Sequence, residues 1–217
     1  MLLSQLQTQL AGFYGAPVSY DVYDFLITDR SLAAALTPPG AQTDNQERLL
    51  LREDASELAL SLYIDETVLS SLGEDDPTVF LHDGNLDGFL IALEGVSHLQ
   101  YLIFRAERAR PVSLLELELQ AEVDKYVTSA GLVSTQGDGR VPRALHARLF
   151  DEVRFDATLP ATELARYEEA NRLAARYCDA LRRRFPGHHR EASFVRELRG
   201  FYRLGGREKI GHILALR

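Results

Sequence analysis

The stretch His82 to His98, HDGNLDGFLIALEGVSH, decides how the larger part of this chain folds. Read one way, it is an acidic, glycine-bent turn that converges oxygen ligands on a cation and is closed by Glu94. Read the other way, it is a polar cap leading into a buried helix that carries Glu94 and His98. The residues that follow support the helix. At 100° per residue, Phe89, Ala92, Leu93, Val96, Leu99 and Ile103 share one face. Asp87, Glu94, Ser97, His98, Tyr101, Arg105 and Arg108 gather into a polar stripe on another. The expected helix spans 86–109, with Asn85 or Asp87 as its N-terminal cap and Pro111 ending it.

The first reading has a specific pattern behind it. Asp83, Asn85, Asp87, Gly88 and Glu94 stand at positions 1, 3, 5, 6 and 12 of a loop that resembles the EF-hand calcium loop. The resemblance implies calcium binding, but it covers twelve residues only. The preceding GEDDPTVFLHD contains Pro77 and shows no helical period, so the entering helix is missing. Position 9 is the apolar Ile91, and there is no second loop to pair with.

On the helical reading, Glu94 and His98 stand four residues apart. At that spacing both side chains can hold one metal ion or act as an oriented acid/base pair. The next helix is marked at both ends of VSLLELELQAEVDKYVTSAG. Ser113 and Glu116 have capping-box spacing, Val112 and Leu117 form a hydrophobic staple, and Gly131 suits the C′ position. Leu115, Leu119, Val123, Tyr126 and Ala130 make its core seam, with Glu118, Glu122 and Lys125 along one flank. Glu118 and Glu122 repel unless a cation answers them, and Arg105 or Arg108 is the expected answer. Two antiparallel helices would then combine Glu94, His98, Glu118 and Glu122 into a carboxylate-rich metal set. The Glu-to-His separation is four here, not the three of di-iron bundles.

Upstream, Leu2, Leu6 and Leu10 predict a short helix stopped by Gly12, and SYDVYDFLIT is strand-like. TPPGAQTDNQ (37–46) reads as a loop. RLLLR and ELALSLYI flank the polar turn EDAS as a hairpin. In its second arm Leu58, Leu60, Leu62 and Ile64 face the core, whereas Glu57, Ala59, Ser61 and Tyr63 face water. Asp65 caps a helix over ETVLSSL that Gly73 ends. Downstream, a third long helix runs from a Thr162 cap to Phe185, and a fourth from Glu191 to Leu204 stops at Gly205 and Gly206. The fold class expected is α+β: a small antiparallel β element in the N-terminal third, then a bundle of four or five helices. Residues 1–217 read as one domain, with a β-containing part over 1–65 and a helical part over 66–217.

Composition narrows the function classes. The net charge is −8, but residues 166–217 carry +7 and the remainder −15, so the two parts attract each other. Arg196, Arg199 and Arg203 line one side of the fourth helix and could grip phosphates. The adjacent aromatics fall on the core face, which makes nucleic acid the less favoured partner. Cys178, the only cysteine, sits among Tyr167, Ala170, Ala174, Leu181 and Phe185 and reads as a buried, inert thiol. The start of the chain carries Gln5, Gln7 and Gln9 and no basic residue, unlike a secretory leader. FLIALEGVSHLQYLIF is interrupted by Glu94, His98 and Gln100, so no membrane span is expected.

No nucleotide-binding, hydrolase-elbow or zinc-protease motif is present. The leading expectation is therefore a soluble cytoplasmic accessory or regulatory protein, acting through contacts with a protein partner or a second copy. The alternatives are a metal-dependent or acid/base enzyme centred on Glu94 and His98, and an anion or nucleic-acid binder using Arg196, Arg199 and Arg203. No cofactor is named by the sequence.

Overall fold

The structure is a computed structural model that describes residues 1–37, 45–54, 57–186 and 192–216, without the side chains at 52–54, 57 and 58. Most of the 37–46 loop, the tip of the hairpin and the expected start of the fourth helix at Glu191 lie outside the described residues. The architecture is α+β, a small sheet beside a helical bundle.

Helix α1 (Leu2–Tyr14) buries Leu3, Leu6, Leu10 and Tyr14. It runs through Gly12 and ends at Gly15, whose φ of 56° is the left-handed cap conformation that favours glycine. A 3-10 turn (Val22–Asp24) capped by Asp21 leads into the two-residue strand β1 (Leu26–Ile27), so only the end of the strand-like stretch is a strand. Helix α2 (Arg30–Leu36), capped by Asp29, has no counterpart in the sequence expectation.

Strands β2 (Glu47–Asp54) and β3 (Glu57–Ile64) form the expected antiparallel hairpin, with Leu49 opposite Leu62 and Leu51 opposite Leu60. β1 adds in parallel to the other side of β3, giving the order β1-β3-β2. Leu62 and Ile64 enter the main core as expected. Tyr63, expected to be wet, is fully buried instead, because α2 brings Ala33 over that face to pack with Leu50, Tyr63 and Ile27.

Helix α3 (Glu66–Glu74) has the Asp65 cap. Helix α4 (Asp83–Ala106) begins three residues earlier than expected. Its cap is His82, whose Nδ1 accepts from the Gly84 N–H, while the Asn85 side chain accepts from the His82 N–H. Every position of the calcium-loop pattern therefore lies inside a regular helix, where carbonyls bond along the axis and the acidic side chains diverge. Asp87 points out of the helix to Arg148, well away from Glu94's partners.

Helix α5 (Leu114–Gln136) starts at the Ser113 cap but passes Gly131 and ends at Gly137. A four-residue helix α6 (Arg143–His146) continues into a π-turn over Ala147–Asp151. Helix α7 (Ala161–Arg184) and helix α8 (Ala192–Arg203) correspond to the third and fourth expected helices, but α7 starts after Pro160, so Thr162 lies in its first turn and is not its cap. Gly205 and Gly206 stop α8, yet Gly206 at once opens helix α9 (Gly206–Ala215), which the sequence reading omitted.

Helix α5 packs between α4 and α7, α1 lies on α4 and α8, and the sheet rests on α4 through β2 and β3. One apolar cluster extends from Leu3 to Ile213. The sheet reaches α4 closely because residue 95 is glycine. A Cβ there would meet Leu62 Cδ1 at 2.9 Å and Glu47 Cγ at 3.0 Å. That close approach brings the first residue of β2 against the polar stripe of α4.

Candidate metal centre

The polar stripe of α4 is internal and divides into two groups. Toward the sheet, Glu94 and His98 face Glu47 of β2 and Glu118 of α5. Donor atoms of Glu47, Glu94 and His98 all lie within 4.8 Å of one another, a set able to hold a metal ion. His98 Nδ1 is 3.5 Å from Glu47 Oε1, and its Nε2 is 3.4 Å from Glu118 Oε2. Neither approach has hydrogen-bond alignment, since Glu47 Oε1 and His98 Nε2 are buried without a hydrogen-bond partner. His98 is itself only 7% exposed.

Lys125, seven residues beyond Glu118 on α5, holds the outer carboxylates, with Nζ 2.7 Å from both Glu94 Oε2 and Glu122 Oε1. Arg166 of α7 approaches Glu118 at 3.6 Å and Glu163 at 3.4 Å. The answer to Glu118 and Glu122 therefore comes from Arg166 and Lys125. Arg105 pairs with Glu116 and Arg108 with Glu107, because both lie two turns or more beyond His98.

The charges shift one another. Burial lowers the His98 imidazolium, but Glu118 and Glu47 on either side outweigh it and hold the ring protonated well above the usual histidine range. Burial raises the Glu47 carboxyl despite His98. Burial also opposes ionisation of Glu94, yet Lys125 and His98 together bring it below its ordinary value. Glu122 is raised by burial even beside Lys125. Five carboxyl groups (Glu47, Glu94, Glu118, Glu122, Glu163) share three cationic groups (His98, Lys125, Arg166), an excess of two negative charges when all are ionised. Exchanging the imidazole proton for a divalent ion would halve that excess.

The cluster opens to a cavity of about 470 Å³ lined by residues 45–51 of β2 and its approach, by Ile91, Glu94 and His98 of α4, and by the N-terminal ends of α5 and α7. Of the four metal-ligand candidates read from sequence, Glu94 and His98 stand at the centre. Glu118 stands behind the imidazole, and Glu122 is held one step away by Lys125. The reading missed Glu47, which is 51 residues upstream of His98. Its one sequence signal is Gly95, a mid-helix glycine that marks a close approach.

The rest of the stripe turns inward to a second cluster. Ser97 Oγ donates to Asp124 Oδ2 at 2.6 Å, and Tyr14 and Gln120 donate to Asp124 Oδ1. Tyr101 donates to Glu116 Oε1 at 2.5 Å, and Glu116 Oε2 accepts from the Gly206 N–H at 3.0 Å. This interhelix use of Glu116 replaces the expected reciprocal capping box. Lys209 of α9 is fully buried, donates to Gln120 Oε1 at 2.5 Å and lies 4.2 Å from the Tyr101 ring centre. Burial raises Asp124 to about 6 and lowers Lys209 to about 7.

Elsewhere, Arg199 donates to the carbonyls of Gly12 and Phe13, and Arg203 to those of Arg199 and Gly15. Two of the three candidate anion-binding arginines thus close the C-terminus of α1, while Arg196 is exposed. Cys178 is fully buried, and desolvation raises its thiol well above the ordinary range. No helix among the described residues is long and apolar enough to cross a membrane. No family model, curated protein or solved structure matches the chain.

Proposed function

We propose that this chain binds a first-row divalent metal ion through Glu47, Glu94 and His98, and acts as a metal-dependent acid/base enzyme on a ligand held in the adjoining cavity. The observation that carries this reading is a three-residue donor set beside that cavity in which two buried atoms, Glu47 Oε1 and His98 Nε2, have charged neighbours but no hydrogen bond. An imidazole with two carboxylates and no thiolate suits zinc, manganese or iron(II) better than calcium. His98 would ligate through Nδ1, the nitrogen on the Glu47 side, and give up its proton in doing so. Glu118 would then accept from Nε2–H and fix the ring, as outer carboxylates do for metal-bound histidines. Lys125 keeps Glu94 ionised and in place. The ion would supply Lewis-acid polarisation or an activated water at the cavity.

The test is elemental analysis of protein purified without a histidine tag, beside Glu47→Gln and His98→Ala. Close to one equivalent of metal in the parent, lost in both variants, is the expected result. A metal-free parent whose melting temperature ignores both chelator and added zinc or manganese would sink the reading.

A second reading, an accessory protein acting through a protein partner, is favoured by one observation. Leu51 and Leu114, which line the same cavity, are 42% and 58% exposed.

A further inference from the structure

The cavity beside the cluster has a strand along one side, and the register of that strand shows what it offers. The Leu62 N–H donates to Phe25 O at 2.8 Å, so the even-numbered residues of β3 turn their backbone groups toward β1. The odd-numbered ones turn toward β2, and the Asp65 N–H donates to Gln46 O at 2.8 Å accordingly. In an antiparallel ladder the hydrogen-bonded pairs alternate, so Arg48 and Leu50 bond to β3 while Glu47, Leu49 and Leu51 present N–H and C=O groups on the other side. Among the described residues no strand lies there, since β2 ends the sheet.

Such an edge is a pairing template unless it is blunted or covered. This one carries no proline or lysine, and residues 45–51 line the cavity along roughly 20 Å of strand. The lining is not neutral. Glu118, Asp156 and Glu163 contribute carboxylates from α5, from the segment before α7 and from α7 itself. Asp156 is exposed, Glu163 is partly so, and the exposed apolar residues Leu51 and Leu114 line the same cavity.

We infer that the cavity receives an extended peptide segment that pairs with the free edge of β2 and carries basic side chains alternating with apolar ones. Backbone pairing at Glu47, Leu49 and Leu51 supplies the affinity. Leu51 and Leu114 take the apolar side chains, and the exposed Asp156 and the partly exposed Glu163, whose other contact is Arg166, take the lysines or arginines. The inference shares its location with the proposed metal centre but does not need the ion, so the two fail separately.

The probe is a fluorescein-labelled peptide of alternating Leu and Lys, titrated by anisotropy into the full chain with chelator present. Two companion peptides are identical in sequence but N-methylated at alternate residues, or carry Glu in place of Lys. Pairing predicts saturable binding that falls at least tenfold on N-methylation and is absent for the acidic peptide. Asp156→Asn with Glu163→Gln should weaken the parent peptide several-fold, and the Leu49 and Leu51 amide resonances should shift on binding. Equal binding of parent and N-methylated peptides, or no binding at all, overturns the inference. Glu94→Gln separates the two proposals: it should abolish metal uptake and leave peptide affinity within twofold.

Discussion

Helices α4 and α5 build two buried polar clusters from the same stripe, and the clusters behave as opposites. The inner one, around Asp124 and Lys209, is closed: Lys209 and Gln120 are 0% exposed, and Asp124 accepts from Tyr14, Ser97 and Gln120. The outer one, around His98, meets a cavity and leaves Glu47 Oε1 and His98 Nε2 without hydrogen bonds. Both shift the pKa values of their members, so a shifted pKa alone does not separate structural from functional groups. What separates the Asp124 carboxylate from the His98 ring is satisfaction, while Arg105 Nε and Nη1, beside Glu116, are also buried without a hydrogen bond. A saturated network fixes helix positions, whereas an unsaturated one at a cavity has capacity left for a ligand.

The largest expected effect breaks the inner cluster. Asp124→Ala removes three hydrogen bonds and the charge that faces Lys209, and should cost about 3–5 kcal/mol by urea unfolding at pH 7. Glu47→Gln in the outer cluster keeps the shape and should cost under about 1 kcal/mol. Equal costs would erase the distinction between the clusters.

Next comes the pH dependence. Burial brings Lys209 to about 7 in the folded chain, against 10.5 for an exposed lysine. Between those values the unfolded chain binds a proton that the folded chain has released, so stability rises with pH there, by at most about 1.4 kcal/mol per unit. Asp124 acts in the other sense, with stability falling as pH rises from 3.8 to about 6. The inner cluster is therefore least favourable between about 6 and 7. Lys209→Met should flatten the alkaline rise, read from urea midpoints across pH 7 to 9. An unchanged slope would show that Lys209 is not its source.

A smaller effect on stability, with a larger one on binding, is expected at Gly95. An alanine there gains helix propensity, about 1 kcal/mol, but its Cβ displaces Leu62 and Glu47. Gly95→Ala should leave the melting temperature within a few degrees and weaken zinc binding at least tenfold, checked by competition with a chromogenic chelator. The smallest effect belongs to the exposed pair Arg172 and Glu169, in contact at 2.7 Å. Arg172→Ala should change stability by no more than about 0.5 kcal/mol, since solvent screens such pairs.

The fold was legible wherever period and punctuation agreed. The hairpin, the Ser113 and Asp65 caps and the long helices α4, α5 and α7 follow from spacing alone. α2 was hidden because RSLAAAL is short and its role, covering Tyr63, is tertiary. α9 was hidden because Gly205 and Gly206 read as a stop, and because Lys209 at its core position defies the usual exposure of lysine. The calcium-loop pattern misled because an N-terminal helical turn also favours acidic and amide residues. In the site, Glu94 and His98 were visible through their i,i+4 spacing. Glu47 was not, since only the packing of β2 on α4 brings it there, and the pairing of Lys125 with Glu94 likewise depends on the crossing of α4 and α5.

On the proposed reading the outer cluster is a metal-ligand set and not a finished salt-bridge network. Calorimetric titration of zinc and manganese into chelator-treated protein, for the parent and Glu47→Gln at matched melting temperature, tests it most directly. One saturable site in the parent, with proton release near pH 7 and loss in the variant, is the predicted result. Identical weak heats from both proteins would contradict it.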